Sequence, residues 1–255
     1  MQNRPFSTSP AHPSDAKGDI GFDFSFAFQP IVNANNREII SFEALVRGPH
    51  GEPSASVFAK VSDENFFTFD RACRWKAISM ASRLKIPNWL SINMSARGLY
   101  HVDQHIASTF QASTDFGFPV ENIIFEVTES ESLTDRRNLL KYFKVYQEFG
   151  FRTAYDDFGM GYSGLKLLLA CQPNFIKLDR HLISKIHQDW VKQSVFAGIR
   201  DICKRLSIEM IAEGVENVEE YHWLRIAGVN IFQGYYFARP AFEALPDVAH
   251  KVYSA

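Results

Sequence analysis

Residues Phe22–Gly48 read FDFSFAFQPIVNANNREIISFEALVRG. Two apolar runs, Phe22–Val32 and Ile39–Val46, are separated only by Asn33–Glu38, which contains Asn35 and Asn36. That spacer is too short for a crossover helix, so the two runs read as a hairpin and the first strand as antiparallel to the second. Further strand candidates follow at Trp89–Met94, Ile123–Thr128, Arg152–Asp156, Phe175–Leu178, Glu209–Ala212 and Ile231–Phe237. Between most of them lie segments with helical spacing of apolar residues, among them Phe69–Leu84, Arg136–Glu148, Trp190–Leu206 and Val218–Ile226. Eight strands with interleaved helices predict a closed barrel rather than an open sheet. The expected fold is therefore α/β, a modified (β/α)8 TIM-like barrel with an antiparallel first strand.

The length of 255 residues suits one such barrel, and 46% hydrophobic residues can build its core. A formal charge of −2 gives no field to attract a nucleic-acid polymer or a membrane surface. Cys73, Cys171 and Cys203 form no CxxC pair, which speaks against a disulfide framework or structural zinc and for a reducing cytoplasm. Residues 1–20 hold Pro5, Pro10 and Pro13 without an apolar run; they read as a disordered lead-in to a domain over 21–255 and not as a signal peptide. No run of about 18 apolar residues predicts a membrane span.

Barrel sites form where the strands end. The expected strand ends offer Gln29, Glu43, Leu45 and Arg47, then Asn93, Glu126, Asp156, Lys177, Glu213 and Gln233. Residues two positions away on the same faces are small or apolar: Ala27, Ser41, Ser91, Ile124, Ala154, Phe175, Ile211 and Ile231. Polar groups thus cap an apolar interior at one end only. The densest stretch is Tyr155–Gly164, YDDFGMGYSG, where an apolar strand interrupted by Arg152 and Thr153 delivers Asp156 and Asp157 side by side. Glu43, Glu126, Asp156, Asp157 and Glu213 would repel one another at one mouth, and one lysine with one arginine cannot neutralise five carboxylates. Hard divalent cations can, and all-oxygen ligands select Mg2+ or Mn2+ over zinc. Two ions sharing one aspartate would use the whole set, and such pairs clamp the attacking and leaving oxygens of a phosphate ester. The residues alone point to two-metal phosphoester hydrolysis.

The chain also resembles a known family. It carries FEALVRG (Phe42–Gly48), Gln29-Pro30, SINMS (Ser91–Ser95), FEVTES (Phe125–Ser130), YDDFG (Tyr155–Gly159), IKLD (Ile176–Asp179), AEGVE (Ala212–Glu216) and QGYYFARP (Gln233–Pro240). These motifs, in order, are similar to those of the EAL-domain cyclic di-GMP phosphodiesterases. The resemblance implies a barrel with an antiparallel first strand that hydrolyses cyclic di-GMP to linear 5'-pGpG with two Mg2+ or Mn2+ ions. It assigns Glu43, Asn93, Glu126 and Asp156 to the first ion, and Asp156, Asp157 and Glu213 to the second. It gives Lys177 a water and a phosphate oxygen to hold, Arg47 a phosphate, and Leu45 and Gln29 the seating of the dinucleotide. Gln233 would act beside the metal-bound waters, Asp70 near a guanine, Glu129 on the loop after strand five, and Glu216 in support of the site. It also implies a homodimer formed through helices near that loop. The departures, Tyr155, Met160 and Gly164, remove no metal ligand.

Other features have plainer readings. His50, His101, His105, His181, His187 and His222 show no ligand spacing and are expected at the surface. Phe66, Phe67 and Phe69 suit core or helix-start packing, while Trp190 and Trp223 suit either core or a dimer face. The competing functions are a cyclic di-GMP receptor without turnover, an interaction regulator on the same fold that answers to a protein partner, and a two-metal phosphodiesterase for another nucleotide.

Overall fold

The computed structural model describes residues 20–95, 97, 102–128, 143–159, 164–249 and 252. β1 (Ser25–Asn33) and β2 (Glu38–Arg47) form the antiparallel hairpin, in a register that pairs Ser25 with Arg47 and Gln29 with Glu43. Asparagine side chains build the turn: Asn33 Oδ1 accepts from the Asn35 amide at 2.9 Å, and Arg37 adopts a left-handed φ of 63°.

The other strands are β3 (Trp89–Asn93), β4 (Ile123–Thr128), β5 (Arg152–Phe158), β6 (Phe175–Leu178), β7 (Glu209–Ala212) and β8 (Ile231–Phe232). They run parallel from β2 to β8, and β1 closes the ring by pairing antiparallel with both β8 and β2. The expected modified barrel is the fold observed. Outside it lie α1 (Ser54–Phe58), α2 (Phe66–Arg83), α3 (Val102–Phe116), α4 (143–148 among the described residues), α5 (Gly164–Ala170), α6 (Arg180–Ile183), α7 (Trp190–Leu206) and α8 (Val218–Ile226). α7 illustrates their local logic: Asp189 caps it by accepting from the Val191 and Lys192 amides, and Lys204 and Arg205 sit in its last turn.

Strand alternation produces two cores. Ile31, Ile124, Ala154, Phe175, Ile211 and Ile231 fill the barrel. Leu90, Phe125, Tyr155, Ile176, Leu178 and Phe232 face outward to the helices. The interior position on β1 is Ile31 rather than Ala27. Because β1 runs backwards, the chain goes deeper with increasing residue number, so Ile31 pairs with Ser41 while Ala27 pairs with Leu45 near the mouth.

Two further expectations needed correction. β8 stops at Phe232 instead of Phe237, since the Phe237 and Ala238 amides turn back to the Gly234 carbonyl. A short strand, β9 (Ala241–Phe242), then joins β1 alongside β8. His105 is buried, with Nδ1 2.7 Å from the Tyr146 hydroxyl, and burial holds its imidazole well below the usual range. Trp190 is exposed, whereas Trp223 packs edge-on against Phe196. Among the described residues, no helix is long and apolar enough to cross a membrane.

Candidate metal and catalytic site

The C-terminal ends of the parallel strands bring together the residues that parity had aligned. Lys177 is at the centre. Its ammonium lies 2.5 Å from Glu126, 2.6 Å from Glu213, 3.0 Å from Asp156 and 3.3 Å from Glu43. Burial alone would pull this ammonium down, but the four carboxylates outweigh it and hold Lys177 well above an ordinary lysine. The carboxylates bear the reciprocal cost: burial pushes Glu126 up to about 8 against the pull of Lys177. Burial and then the neighbouring Asp156 drive Glu213 well above the usual range.

Asp157 reaches the same site although it is adjacent to Asp156, where a regular pleat would send it to the other face. The cause is a bulge. Tyr155 pairs with Ile176 and Phe158 with Leu178, so β5 uses one residue more than β6 over this span, and Asp157 takes a left-handed φ of 54°. Asp156, Asp157 and Glu213 thereby offer carboxylate oxygens within 4.8 Å of one another, as do Glu43, Glu126 and Asp156. Asp156 belongs to both groups. Burial and then Asp156 push the Asp157 carboxyl up to about 6.

This donor set fits a pair of hard divalent cations. Every ligand atom is an oxygen, and Glu126 Oε1 is buried without a hydrogen-bond partner. Asn93 donates from its amide nitrogen to Glu43 Oε1 at 2.8 Å, which orients that carboxylate. Gln233 donates to the other Glu43 oxygen at 2.7 Å and to Gln29 Oε1 at 3.3 Å, while Gln29 is tied to the Ala238 carbonyl at 3.2 Å. Gln233 Oε1 is itself buried and unpartnered.

Above the carboxylates opens a pocket of about 360 Å³ whose walls include Gln29, Glu43, Asp156, Asp157, Lys177, Glu213, Glu216 and Gln233. Asp179, Arg180 and Tyr235 also line it and were not anticipated. Asp179 and Arg180 follow Lys177 by two and three residues, so the end of β6 was their signal. Arg180 joins Glu216 at 2.6 Å to the Gly214 carbonyl at 2.5 Å, bracing the turn that follows Glu213. Gly234 permits close approach: a Cβ there would stand 2.1 Å from the Val215 carbonyl oxygen.

Other expected positions lie apart from this wall. Arg47 and Leu45 are half-buried, and Arg47 donates to the Val46 carbonyl at 2.8 Å. Asp70 is engaged by Arg74 one helical turn away and is not among the lining residues. Glu129 and Met160 lie outside the described residues. The departures at Tyr155 and Gly164 have a packing account. The Tyr155 ring is 5.1 Å from Phe143 with its hydroxyl 3.3 Å from the Cys171 carbonyl, and a Cβ at Gly164 would press on the Phe158 ring at 2.7 Å.

The chain matches the family model described as the EAL domain over residues 20–240. It is 33% identical over 225 residues to the blue light- and temperature-regulated antirepressor BluF of Escherichia coli, covering 88% of this chain and 56% of that protein. It is 29% identical to the probable cyclic di-GMP phosphodiesterase PdeG of E. coli, over 84% of this chain and 44% of the relative. The chain thus spans about half the length of these curated relatives. Among solved structures, a standalone versatile EAL protein from Vibrio cholerae O395, in its c-di-GMP-bound form, superposes with a TM-score of 0.88 at 45% identity, covering 92% of this chain and 99% of that one. The manganese/cy-diGMP complex of Klebsiella pneumoniae BlrP1 gives 0.84 at 35% identity, over 88% of this chain and 58% of BlrP1. With the family model matched over residues 20–240, the chain belongs to the EAL domain family.

Proposed function

We propose that this domain hydrolyses cyclic di-GMP to linear 5'-pGpG and so lowers the level of that second messenger, using two Mg2+ or Mn2+ ions. The observation that carries this is Asp156, common to two groups of three carboxylates around one buried lysine. Solved relatives bound to cyclic di-GMP, one of them with manganese, support the same ligand here.

Glu43, Asn93, Glu126 and Asp156 would hold one ion, and Asp156, Asp157 and Glu213 the other. Bound there, the ions would neutralise the phosphate and lower the pKa of a water for in-line attack. Lys177 keeps its proton among the carboxylates; with ions holding those carboxylates, its N–H groups would turn to a phosphate oxygen and to the attacking water. Glu43 is oriented by Asn93 and Gln233, and the unpartnered Gln233 Oε1 is available to accept from a water. Arg47 would grip a phosphate, Leu45 and Gln29 would seat the dinucleotide, and Asp70 would meet a guanine. Glu216 acts through Arg180 on the Glu213 turn, and Glu129 would hold the loop after β5. We further read the domain as a cytoplasmic homodimer, supported by its free cysteines and by exposed Leu165 and Leu169 on α5. Sedimentation of the chain at two concentrations checks the dimer.

The test of activity is incubation with cyclic di-GMP and Mg2+ or Mn2+, with products resolved chromatographically. We expect pGpG, and Glu43→Ala to slow its formation more than about 100-fold. The relative named an antirepressor favours a second reading, a module that binds without cleaving. Cyclic di-GMP binding without product would select that reading, and neither binding nor product would leave an interaction regulator.

A further inference from the structure

A second cavity, of about 670 Å³, lies at the opposite end of the barrel from the carboxylates. Its wall includes Trp89, Arg152, Asn174, Phe175, Glu209 and Ile231. Five of these six open a strand, β3, β5, β6, β7 and β8 respectively, and Asn174 immediately precedes β6. The cavity is therefore the floor of the barrel, below the layer made by Ile124, Ala154 and Ile211.

Arg152 is the charged residue that interrupts the apolar start of β5. Its guanidinium carbon lies 4.3 Å over the Trp89 ring, and that ring lies 5.6 Å from Phe175. Arg152 Nε is buried without a hydrogen-bond partner, and among the described residues Arg152 enters no ion pair. Glu209 lines the same cavity but is exposed and leaves Arg152 unpaired. A buried N–H without an acceptor is unfavourable and calls for a partner. Stacking on the indole covers one face of the guanidinium and fixes its plane, leaving its N–H edge as a preset fork for two oxygens of a carboxylate or phosphate. Phe175 and Ile231 supply an apolar surface next to that fork.

We propose that the floor cavity binds a small oxyanion attached to a flat apolar group, an aryl carboxylate or aryl phosphate. Arg152 holds the anion, and Trp89 with Phe175 receives the ring. The test is isothermal titration calorimetry of the full chain in EDTA, where the carboxylate mouth repels anions and cannot be mistaken for the floor. The probes are phenyl phosphate, benzoate and inorganic phosphate.

The expected result is saturable one-to-one binding of the aryl anions, with inorganic phosphate about tenfold weaker or more. Whichever aryl anion binds tighter names the head group. Arg152→Gln should weaken aryl binding at least about tenfold, and Arg152→Lys should also weaken it because an ammonium cannot reproduce the fork. Tryptophan fluorescence should respond to phenyl phosphate in the native chain and lose that response in Trp89→Phe. Absence of saturable heat at roughly 10 mM of either aryl anion would overturn the proposal. So would undiminished binding by a folded Arg152→Gln or Arg152→Lys chain. Equal affinity for inorganic phosphate would overturn the aryl part.

Discussion

Lys177 is the residue on which the site converges, and its removal separates charge from shape. Lys177→Met keeps the stem but leaves Glu43, Glu126, Asp156 and Glu213 facing one another with no cation. Removing one partner of a buried ion pair costs about 3–5 kcal/mol, and we expect a loss of that order in urea unfolding in EDTA. Manganese should restore more stability to the variant than it adds to the native chain; a loss below about 1 kcal/mol would show that the carboxylates do not depend on Lys177. Parity makes Glu43, Asn93, Glu126, Asp156, Lys177, Glu213 and Gln233 legible in the sequence, because side chains on one strand face recur every second residue. Asp157 breaks parity, and only the bulge explains its arrival. His105 escapes a sequence reading because its burial depends on a distant tyrosine, Tyr146, which satisfies one ring nitrogen. Asp70 shows the reverse: motif position assigns it to the substrate, while its nearest charged neighbour is Arg74 in its own helix.

At the scale of elements, strands and helices bounded by clear signals match their expected ranges. β4, β6, β7, α7 and α8 run over the residues that periodicity marks. α3 was not anticipated, since its inward face uses His105 and Thr109 alongside Val102, Ile106 and Ala112 and so lacks a clean apolar stripe. β8 reads too long in the sequence because Gln233–Phe237 continues the aromatic character of a strand while its backbone turns at Gly234. That turn also sets Gln233 against Glu43. In Gly234→Ala the new methyl would meet the Val215 backbone, which cannot swing away as a side chain can. We expect about 2–4 kcal/mol of destabilisation in denaturant unfolding together with loss of turnover. Native stability in this variant would mean that the Val215 turn yields freely.

For the whole molecule, closure is legible from eight strand candidates and one short hairpin. β9 is not, because two residues carry no periodicity. Stability as a function of pH is the matching whole-chain observable. Glu126 is raised from 4.5 to about 8, so in the metal-free chain the folded state holds this proton more tightly than the unfolded state. The resulting stabilisation is full below pH 4.5 and is lost as pH rises through about 8. Lys177 is protonated in both states across this interval and does not oppose the trend. We expect the melting temperature in EDTA to fall between pH 6 and pH 8 and manganese to counter the fall, since a cation takes the place of the proton. A melting temperature that rises over this interval in EDTA would contradict the assignment.

The reversal of β1 also fixes where the chain enters the barrel. In an all-parallel barrel the first strand begins at the floor, far from the chemistry. Here Ser25 pairs with Arg47, the last residue of β2, so the polypeptide arrives at the same end of the barrel as the carboxylates and descends from there. Any segment spliced upstream of Ser25 is delivered to that end. It reaches the end that carries the chemistry by position alone, with no need to transmit a distortion through the barrel wall.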